Sequence, residues 1–166
     1  MNNLSAEFTT SYKELERSVA HLRAEAKSSR NSLKRQNKRL IALEVEEMLR
    51  RVRTDEESLT IISEIFHDRD LEEIRMMANQ IVRNPNCVAF FGLTGKRAQL
   101  IFASSDEIRI GMDQVLAQVL PKLEAGSGGG SAKFAQGSGL AVNTQLLREA
   151  LEQAQEIVIN SEGSTN

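Results

Sequence analysis

Glycine and small polar residues concentrate in one segment near the end of the chain. Six of the ten glycines lie between Gly126 and Gly139. Consecutive glycines expose backbone N–H groups and permit positive φ, so such a main chain can approach an anion or a planar group closely. A flexible linker would have a similar composition. Phe134 and Gln136 stand between two glycine clusters and a helical pattern follows, which favours a binding loop over residues 126–139.

A run of basic residues forms the second candidate site. Between Arg17 and Arg39 there are eight Lys/Arg residues and one acidic residue, Glu25. On a helix, most of these side chains line one flank and could neutralise several phosphates, which gives salt-sensitive affinity for nucleic acid without sequence preference. The alternative is the solvated flank of a coiled coil. The candidate phosphate-contacting residues are Arg23, Lys27, Arg30, Lys34 and Lys38.

Residue types that support catalysis are few. Zinc-dependent chemistry needs a His/Cys ligand cluster, and metal-dependent phosphoester hydrolysis needs several Asp and His together. The candidates are His21, His67 and Cys87, and no two of them have ligand spacing. No Ser-His-Asp arrangement or phosphate-binding Lys-Ser/Thr motif occurs either. We therefore expect no catalytic site, no metal site and no cofactor in this chain.

Composition and charge bound the class of protein. The chain has 166 residues, one cysteine and a formal net charge of −2, which suits one compact core plus an extended element, without an internal disulfide. Residues 1–53 carry 12 Lys/Arg against 7 Asp/Glu, and residues 54–166 carry 9 against 16, so a polyanion would meet the N-terminal part first. No signal peptide or membrane-spanning stretch is evident, and we expect a cytoplasmic protein.

The N-terminal third has the heptad pattern of a helical seam. Neither Gly nor Pro interrupts residues 4–84, so we expect a long helix through about Arg53. A helix of this length needs a partner chain or a second helix to cover its apolar stripe. The seam is weak at Ala26, Ser29 and Gln36. Its other members are Phe8, Tyr12, Leu15, Val19, Leu22, Leu33, Leu40 and Leu43.

The rest of the chain predicts a small mixed β-sheet covered by helices, so the fold class is α+β. Asp70 and Asn143 are the expected caps of two helices, and Pro121 disturbs the last turn of another. In order, the predicted elements are strand 58–66, helix 71–83, hairpin strands 87–92 and 98–103, helix 112–123, the glycine-rich loop 126–139 and helix 144–159. We predict a helical arm over 1–54, a globular domain over 55–160 and a disordered tail over 161–166.

The glycine-rich segment resembles the signature of the DHH-associated domain. Gly128-Gly129-Gly130, a short polar gap and Phe134-Ala135-Gln136-Gly137, with Gly139 after it, carry this resemblance. The domain closes alanyl-tRNA synthetases and the longer free-standing alanyl-tRNA editing proteins, and it also occurs in DHH-type phosphoesterases. In synthetases an Arg-Pro-Asp-like sequence usually follows the three glycines. Here it is Ser131-Ala132-Lys133, a departure that favours the editing-protein branch.

The resemblance implies a non-catalytic module that contacts the outer corner, or elbow, of tRNA, expected to be the tRNA for alanine. It also implies a homodimer formed through the helical arm, and it favours RNA contact over a solvated role for the basic flank. Phe134 is expected to anchor the glycine-rich loop in the core. Two alternatives stay open: a pure oligomerisation module, and the substrate-holding lobe of a DHH-type phosphoesterase. The RNA-binding residues it implies are Gly128, Gly129, Gly130, Lys133, Phe134, Gln136, Gly137 and Gly139.

Overall fold

The computed structural model describes residues 3–53, 55, 57–140 and 143–163, with side chains from Ser11 onward. A long helix is followed by a five-stranded mixed sheet with further helices, which confirms the predicted α+β class. The elements are α1 (Asn3–Val52), β1 (Thr60–His67), α2 (Leu71–Ile81), β2 (Cys87–Thr94), β3 (Ala98–Ser104), α3 (Met112–Val119), a 3-10 helix (Leu120–Leu123), β4 (Ser127–Gly130), β5 (Phe134–Gly139) and α4 (Thr144–Gly163).

Both predicted helix caps are confirmed. The Asp70 carboxylate accepts a hydrogen bond from the backbone N–H of Glu72 at 2.7 Å. The side-chain oxygen of Asn143 accepts one from the backbone N–H of Leu146 at 3.0 Å. Each bond satisfies a donor that the first turn of a helix leaves without an intrahelical partner.

Three helices end at different residues from those predicted, and α2 is the simplest case, since it stops at Ile81 and not at residue 83. Pro121 lies in the 3-10 helix, and regular α-helix stops at Val119 because proline cannot continue the hydrogen-bond ladder. Helix α4 instead continues to Gly163, into the segment predicted to be a disordered tail. There, a Glu162 carboxylate oxygen accepts a hydrogen bond from the backbone N–H of Arg109 at 3.0 Å, which ties the last turn down. Residues 164–166 lie outside the described residues.

The glycine-rich segment is the main correction, because it is not a loop. Its residues form β4 and β5, an antiparallel hairpin. The turn between these strands is anchored to the rest of the fold. The Met112 N–H donates to the Ala132 carbonyl at 2.9 Å, and the Ser104 N–H donates to the Lys133 carbonyl at 3.0 Å. Glycine has a low strand propensity, so tertiary contacts specify the strands, including these bonds and the pairing of β5 with β3.

The sheet has the strand order β1-β2-β3-β5-β4. Strands β1 and β2 are parallel and are joined through α2, whereas the remaining pairs are antiparallel. The outermost strands are therefore β1 on one side and β4 on the other.

The sheet separates two apolar layers. Alternate residues of each strand point to opposite faces, so Phe90 and Phe102 pack in one layer while Phe91 packs in the other. The first layer is covered by α3 and α4. The second is covered by α2 and by the end of α1, through the buried side chains of Ile41, Val45 and Met48.

By its contacts the chain divides into Met1–Leu40 and Ile41–Asn166. The second unit contains the sheet and both apolar layers. The first is helical, and its described seam residues are exposed, including Leu15 at 61% and Leu33 at 65%. The domain limits given above stay a prediction. Within the described residues, no helix has the length and apolar character needed to span a membrane.

Candidate nucleic-acid interface

The β4–β5 hairpin builds one edge of the sheet. Strand β4 is the outermost strand at this edge, and all four of its residues are exposed. In the hairpin register, Gly129 lies opposite Gln136 and Gly128 opposite Gly137. A strand made of one serine and three glycines presents main chain, rather than side chains, to whatever approaches it.

Packing accounts for the glycines of β5. A Cβ atom placed on Gly139 would lie 2.1 Å from the carbonyl oxygen of Leu123, and one on Gly137 would lie 2.6 Å from Cδ1 of Leu120. Both distances are far below van der Waals contact. These two glycines therefore allow β5 to lie directly against the 3-10 helix.

The glycines of β4 divide into two kinds. A Cβ atom on Gly128 would come within 2.6 Å of the Gln136 carbonyl oxygen, and one on Gly130 within 2.2 Å of the Phe134 carbonyl oxygen. Around Gly129, no atom of the described residues, its two chain neighbours aside, lies within 4 Å of such a Cβ. The fold therefore leaves space for a side chain at Gly129, although the sequence supplies none.

The open position at Gly129 belongs to a surface of small and polar residues. Cross-strand partners share a face, so Gly129 and Ser127 lie on the same side as Gln136 and Ser138. This is the side that carries α2, because Arg75 of α2 contacts Gln136. Gln99, the partner of Ser138 on β3, lies there as well. We call this surface the glycine platform: Gln99, Ser127, Gly129, Gln136 and Ser138.

Two arginines that the sequence reasoning missed contact β5. The Nε of Arg75 donates to Oε1 of Gln136 at 2.7 Å, and the Nε of Arg97 donates to the Gly139 carbonyl at 3.3 Å. Each guanidinium has further donors that could reach an anion. The Arg75–Gln136 pair spans 61 positions along the chain, and no local pattern signals such a contact.

Lys133 and Phe134 hold the hairpin turn in place. The Lys133 ammonium donates to the carbonyls of Ser105, Asp106 and Ile108 at 3.0, 2.9 and 2.7 Å. Because an ammonium has three hydrogens, all its donors are used within the protein. Phe134 is partly buried against the α2 layer. The geometry gives both residues anchoring roles, whereas Gln136 and Gly129 face outward.

The five basic residues of α1 lie in the first unit, and in sequence they are far from the residues of the glycine platform. Arg23, Lys27, Arg30, Lys34 and Lys38 are all exposed. Among the described residues, none of the five takes part in an ion pair or a side-chain hydrogen bond. Their positive charge is therefore not neutralised within this helix, as a phosphate-contacting flank requires.

The histidines and the cysteine do not converge. His21 lies 3.6 Å from a Glu25 carboxylate oxygen on the exposed surface of α1, and His67 Nδ1 lies 2.7 Å from Oγ1 of Thr94. Cys87 is buried, and desolvation raises the pKa of its thiol, so the neutral form is favoured. The part of the chain that the structure describes holds no cluster of three or more His, Cys, Asp or Glu suited to a metal ion.

Comparison with solved structures identifies a similar domain. No protein-family model and no curated protein matches the chain. The C-Ala domain of alanyl-tRNA synthetase from Aquifex aeolicus is similar with a TM-score of 0.53 and 28% identity, and the match covers 63% of this chain and 95% of that domain. This similarity confirms the resemblance to the C-terminal domain of alanyl-tRNA synthetases.

Structures of the exonuclease RecJ share the fold. RecJ from Thermus thermophilus in complex with Mg²⁺ has a TM-score of 0.56 and 14% identity over 78% of this chain, but the match covers only 19% of RecJ. A manganese-bound RecJ exonuclease has a TM-score of 0.53 and 16% identity, and 30% of that chain is covered. These identities establish a common fold and nothing further, and the chain spans less than a third of each RecJ chain.

Proposed function

We propose that this chain is the tRNA-binding and dimerisation module of a protein of the alanyl-tRNA synthetase or alanyl-tRNA editing type. The glycine platform lies against the elbow of folded tRNA, expected to be the tRNA for alanine. The basic flank of α1 contacts phosphates, and the apolar seam of α1 joins two copies. The observation that carries the proposal is the unfilled space at Gly129.

Gly129 supports the proposal because the fold alone gives no reason for glycine there. Glycine weakens a strand through its conformational entropy and the missing side chain. Packing offsets this cost at the neighbouring glycines, which allow the main chain to approach other atoms closely. At Gly129 no such atom is found among the described residues, which leaves room for a bound molecule. A base pair exposed at the tRNA elbow is a planar group that can lie on such a bare strand.

The basic flank would supply affinity without sequence preference. Five exposed cations along one helix can each displace a counterion from a phosphate, so binding should weaken steeply with salt. The platform would discriminate folded tRNA from single-stranded RNA, because a strand without side chains fits the fixed base pair at the elbow and not the mobile bases of a single strand. The two surfaces thus make separate contributions, which experiments can separate.

The seam of α1 supports dimerisation through exposed apolar area. Tyr12, Leu15, Leu22, Leu33 and Leu40 are each more than 60% exposed, and they recur with heptad spacing. Large apolar patches of this kind usually mark an interface. In a coiled coil, each such residue would insert between four residues of the facing helix.

The first test titrates the chain with folded tRNA for alanine and with a single-stranded RNA of equal length, at two salt concentrations. We expect tighter binding of the folded tRNA. The variant Gly129→Val should weaken that binding about tenfold or more, because its side chain lifts a stacked base pair off the strand. The variant should melt at nearly the same temperature as the original chain, since the added atoms enter open space.

Gly163→Val is the matched control, because a Cβ at Gly163 also has nothing within 4 Å. Gly163 is the last residue of α4, outside the glycine platform, so this variant should bind tRNA normally. Equal binding of folded and single-stranded RNA, or no binding at all, would contradict recognition of the tRNA elbow and favour the alternative of a pure oligomerisation module. Normal tRNA binding by Gly129→Val would show that the glycine platform does not contact tRNA.

A second test addresses the dimer by sedimentation. Leu22→Asp places a charge on the seam. We expect the dissociation constant of the dimer to rise about a hundredfold, because a buried leucine is replaced by a carboxylate in each of the two chains. Ala24→Asp adds the same charge two residues away, off the seam, and should leave the dimer intact. If both variants stay dimeric, copies of the chain associate through another surface.

A further inference from the structure

The side-chain amide of Gln136 has only one chemically permitted orientation. The atom that faces it, Arg75 Nε, lies 2.7 Å away and can only donate a hydrogen bond. The amide atom on that side must therefore be the carbonyl oxygen, Oε1. The amide nitrogen, Nε2, is directed away from Arg75, and among the described residues it has no hydrogen-bond partner.

Arg75 is itself held in position. Its Nη1 donates to the Glu72 carboxylate one turn earlier on α2, and its side chain is only about one-third exposed (33%). The guanidinium is thus fixed at two of its nitrogens, one to the helix and one to the sheet. A planar group fixed in this way can impose its orientation on a neighbouring amide.

The free amide nitrogen lies on the glycine platform. Gln136 pairs with Gly129 across the hairpin and shares its face, where a Cβ on Gly129 would have no described atom within 4 Å beyond its chain neighbours. A planar group resting on Gly129 would therefore have an N–H₂ group beside it. Such a group donates two hydrogen bonds and accepts none.

We propose that Arg75 orients Gln136 so that the glycine platform recognises a hydrogen-bond acceptor of the RNA beside the stacked group. The acceptor is an oxygen or ring nitrogen of a base edge, or a phosphate oxygen. This inference rests on the proposed function and adds two roles to it. Gln136 contacts the ligand, and Arg75 is a positioning residue that acts through Gln136.

The test uses two variants of Gln136 that remove its donors in different ways. Gln136→Met is neutral and similar in size, and Gln136→Glu keeps an acceptor for Arg75 but places a negative charge on the platform. We expect both to weaken binding of folded tRNA by about tenfold, the usual effect of losing one or two hydrogen bonds. The loss in Gln136→Met should persist at high salt, because the missing interaction is not between net charges.

The role of Arg75 is tested by Arg75→Met, which frees the amide to rotate. We expect a smaller loss, about threefold, and an unchanged dependence of binding on salt. If Arg75 contacted a phosphate directly, the salt slope would fall by roughly 0.7 to 0.9 instead. That result, or an unchanged affinity, would overturn the orienting role. Melting temperatures of all variants establish that they are folded.

The outcomes separate this inference from the proposed function. If the original chain fails to bind folded tRNA, the proposed function fails. Suppose that it binds, and that Gly129→Val weakens binding while Gln136→Met and Gln136→Glu do not. The role of the glycine platform is then supported, and the proposal that Gln136 recognises an acceptor is overturned. If the Gln136 variants do weaken binding, methylphosphonate linkages and altered base edges at the tRNA elbow show the source of the acceptor, because the effect of Gln136→Met disappears when the contacted group is changed.

Discussion

The β4–β5 hairpin and residues 11–40 of α1 are proposed to bind the same ligand through different chemical groups. The hairpin offers backbone, amides and small residues, and packing against the 3-10 helix fixes its shape. The helix offers exposed cations and an exposed apolar seam. In the hairpin, the residues proposed to bind also pack against neighbouring atoms of the fold. In the first forty residues, the side chains that would bind make few described contacts, so changing them should alter affinity and leave the fold intact.

The largest effect is expected on α1. Replacing Arg23, Lys27, Arg30 and Lys34 together with Gln should lower the slope of log affinity against log salt by about 3, since each phosphate contact contributes about 0.7 to 0.9. At about 0.1 M salt this corresponds to a loss of several hundredfold. Titrations across a salt series measure the slope, and melting curves should not change.

A control on the same helix neutralises Arg50 and Arg51 instead. Both guanidinium groups contact the Glu47 carboxylate, so their positive charge is already offset in part, unlike that of the basic flank. We expect little change in slope. If the two sets of substitutions lowered the slope equally per residue, the flank would have no special place in binding.

The next largest effect is expected on stability, from substitutions in the β4–β5 hairpin. Gly139→Ala forces a methyl group to within 2.1 Å of the Leu123 carbonyl oxygen, which should lower the free energy of unfolding by about 3 kcal/mol. Gly129→Ala, with open space around its Cβ, should change it by less than about 0.5 kcal/mol. Urea unfolding of the two variants measures the difference. Equal stabilities would mean that the hairpin is not packed as described.

This contrast also explains what the sequence could predict. The long helix, the caps at Asp70 and Asn143 and the β2–β3 hairpin follow from local preference and spacing, and all are present. The strands β4 and β5 do not follow, because glycine carries no strand signal and the hairpin depends on residues distant in sequence. For the same reason the sequence locates the glycine cluster without showing which of its glycines packing requires.

The site shows the same limit at the level of single side chains. The family resemblance implies that Lys133 contacts RNA, whereas in the structure its ammonium donates to three carbonyls of the segment after β3. Arg75 gave no signal, since its contact with Gln136 exists only once α2 and β5 are brought together. Charge and composition indicate a candidate segment, whereas the direction of each donor depends on the assembled sheet.

A smaller effect tests the anchoring role of Lys133. Lys133→Met keeps the length of the side chain but removes all three hydrogen bonds to carbonyls, and we expect a loss of about 2 kcal/mol in the free energy of unfolding. Lys122→Met is the matched control, because Lys122 is exposed and has no described partner. If both lysine variants unfold at the same urea concentration, the three bonds contribute nothing net, and Lys133 becomes available for RNA contact.

The smallest effect concerns the weak part of the seam. Ser29 occupies a seam position that the heptad pattern reserves for an apolar residue, and it is exposed. Ser29→Leu should therefore tighten the dimer by about 1.5 kcal/mol, through burial of one leucine per chain between the helices. Ser28→Leu adds the same side chain to the adjacent, outward-facing position and should not tighten the dimer. Sedimentation equilibrium distinguishes the two, because a helix that pairs through another face would respond to Ser28→Leu or to neither substitution.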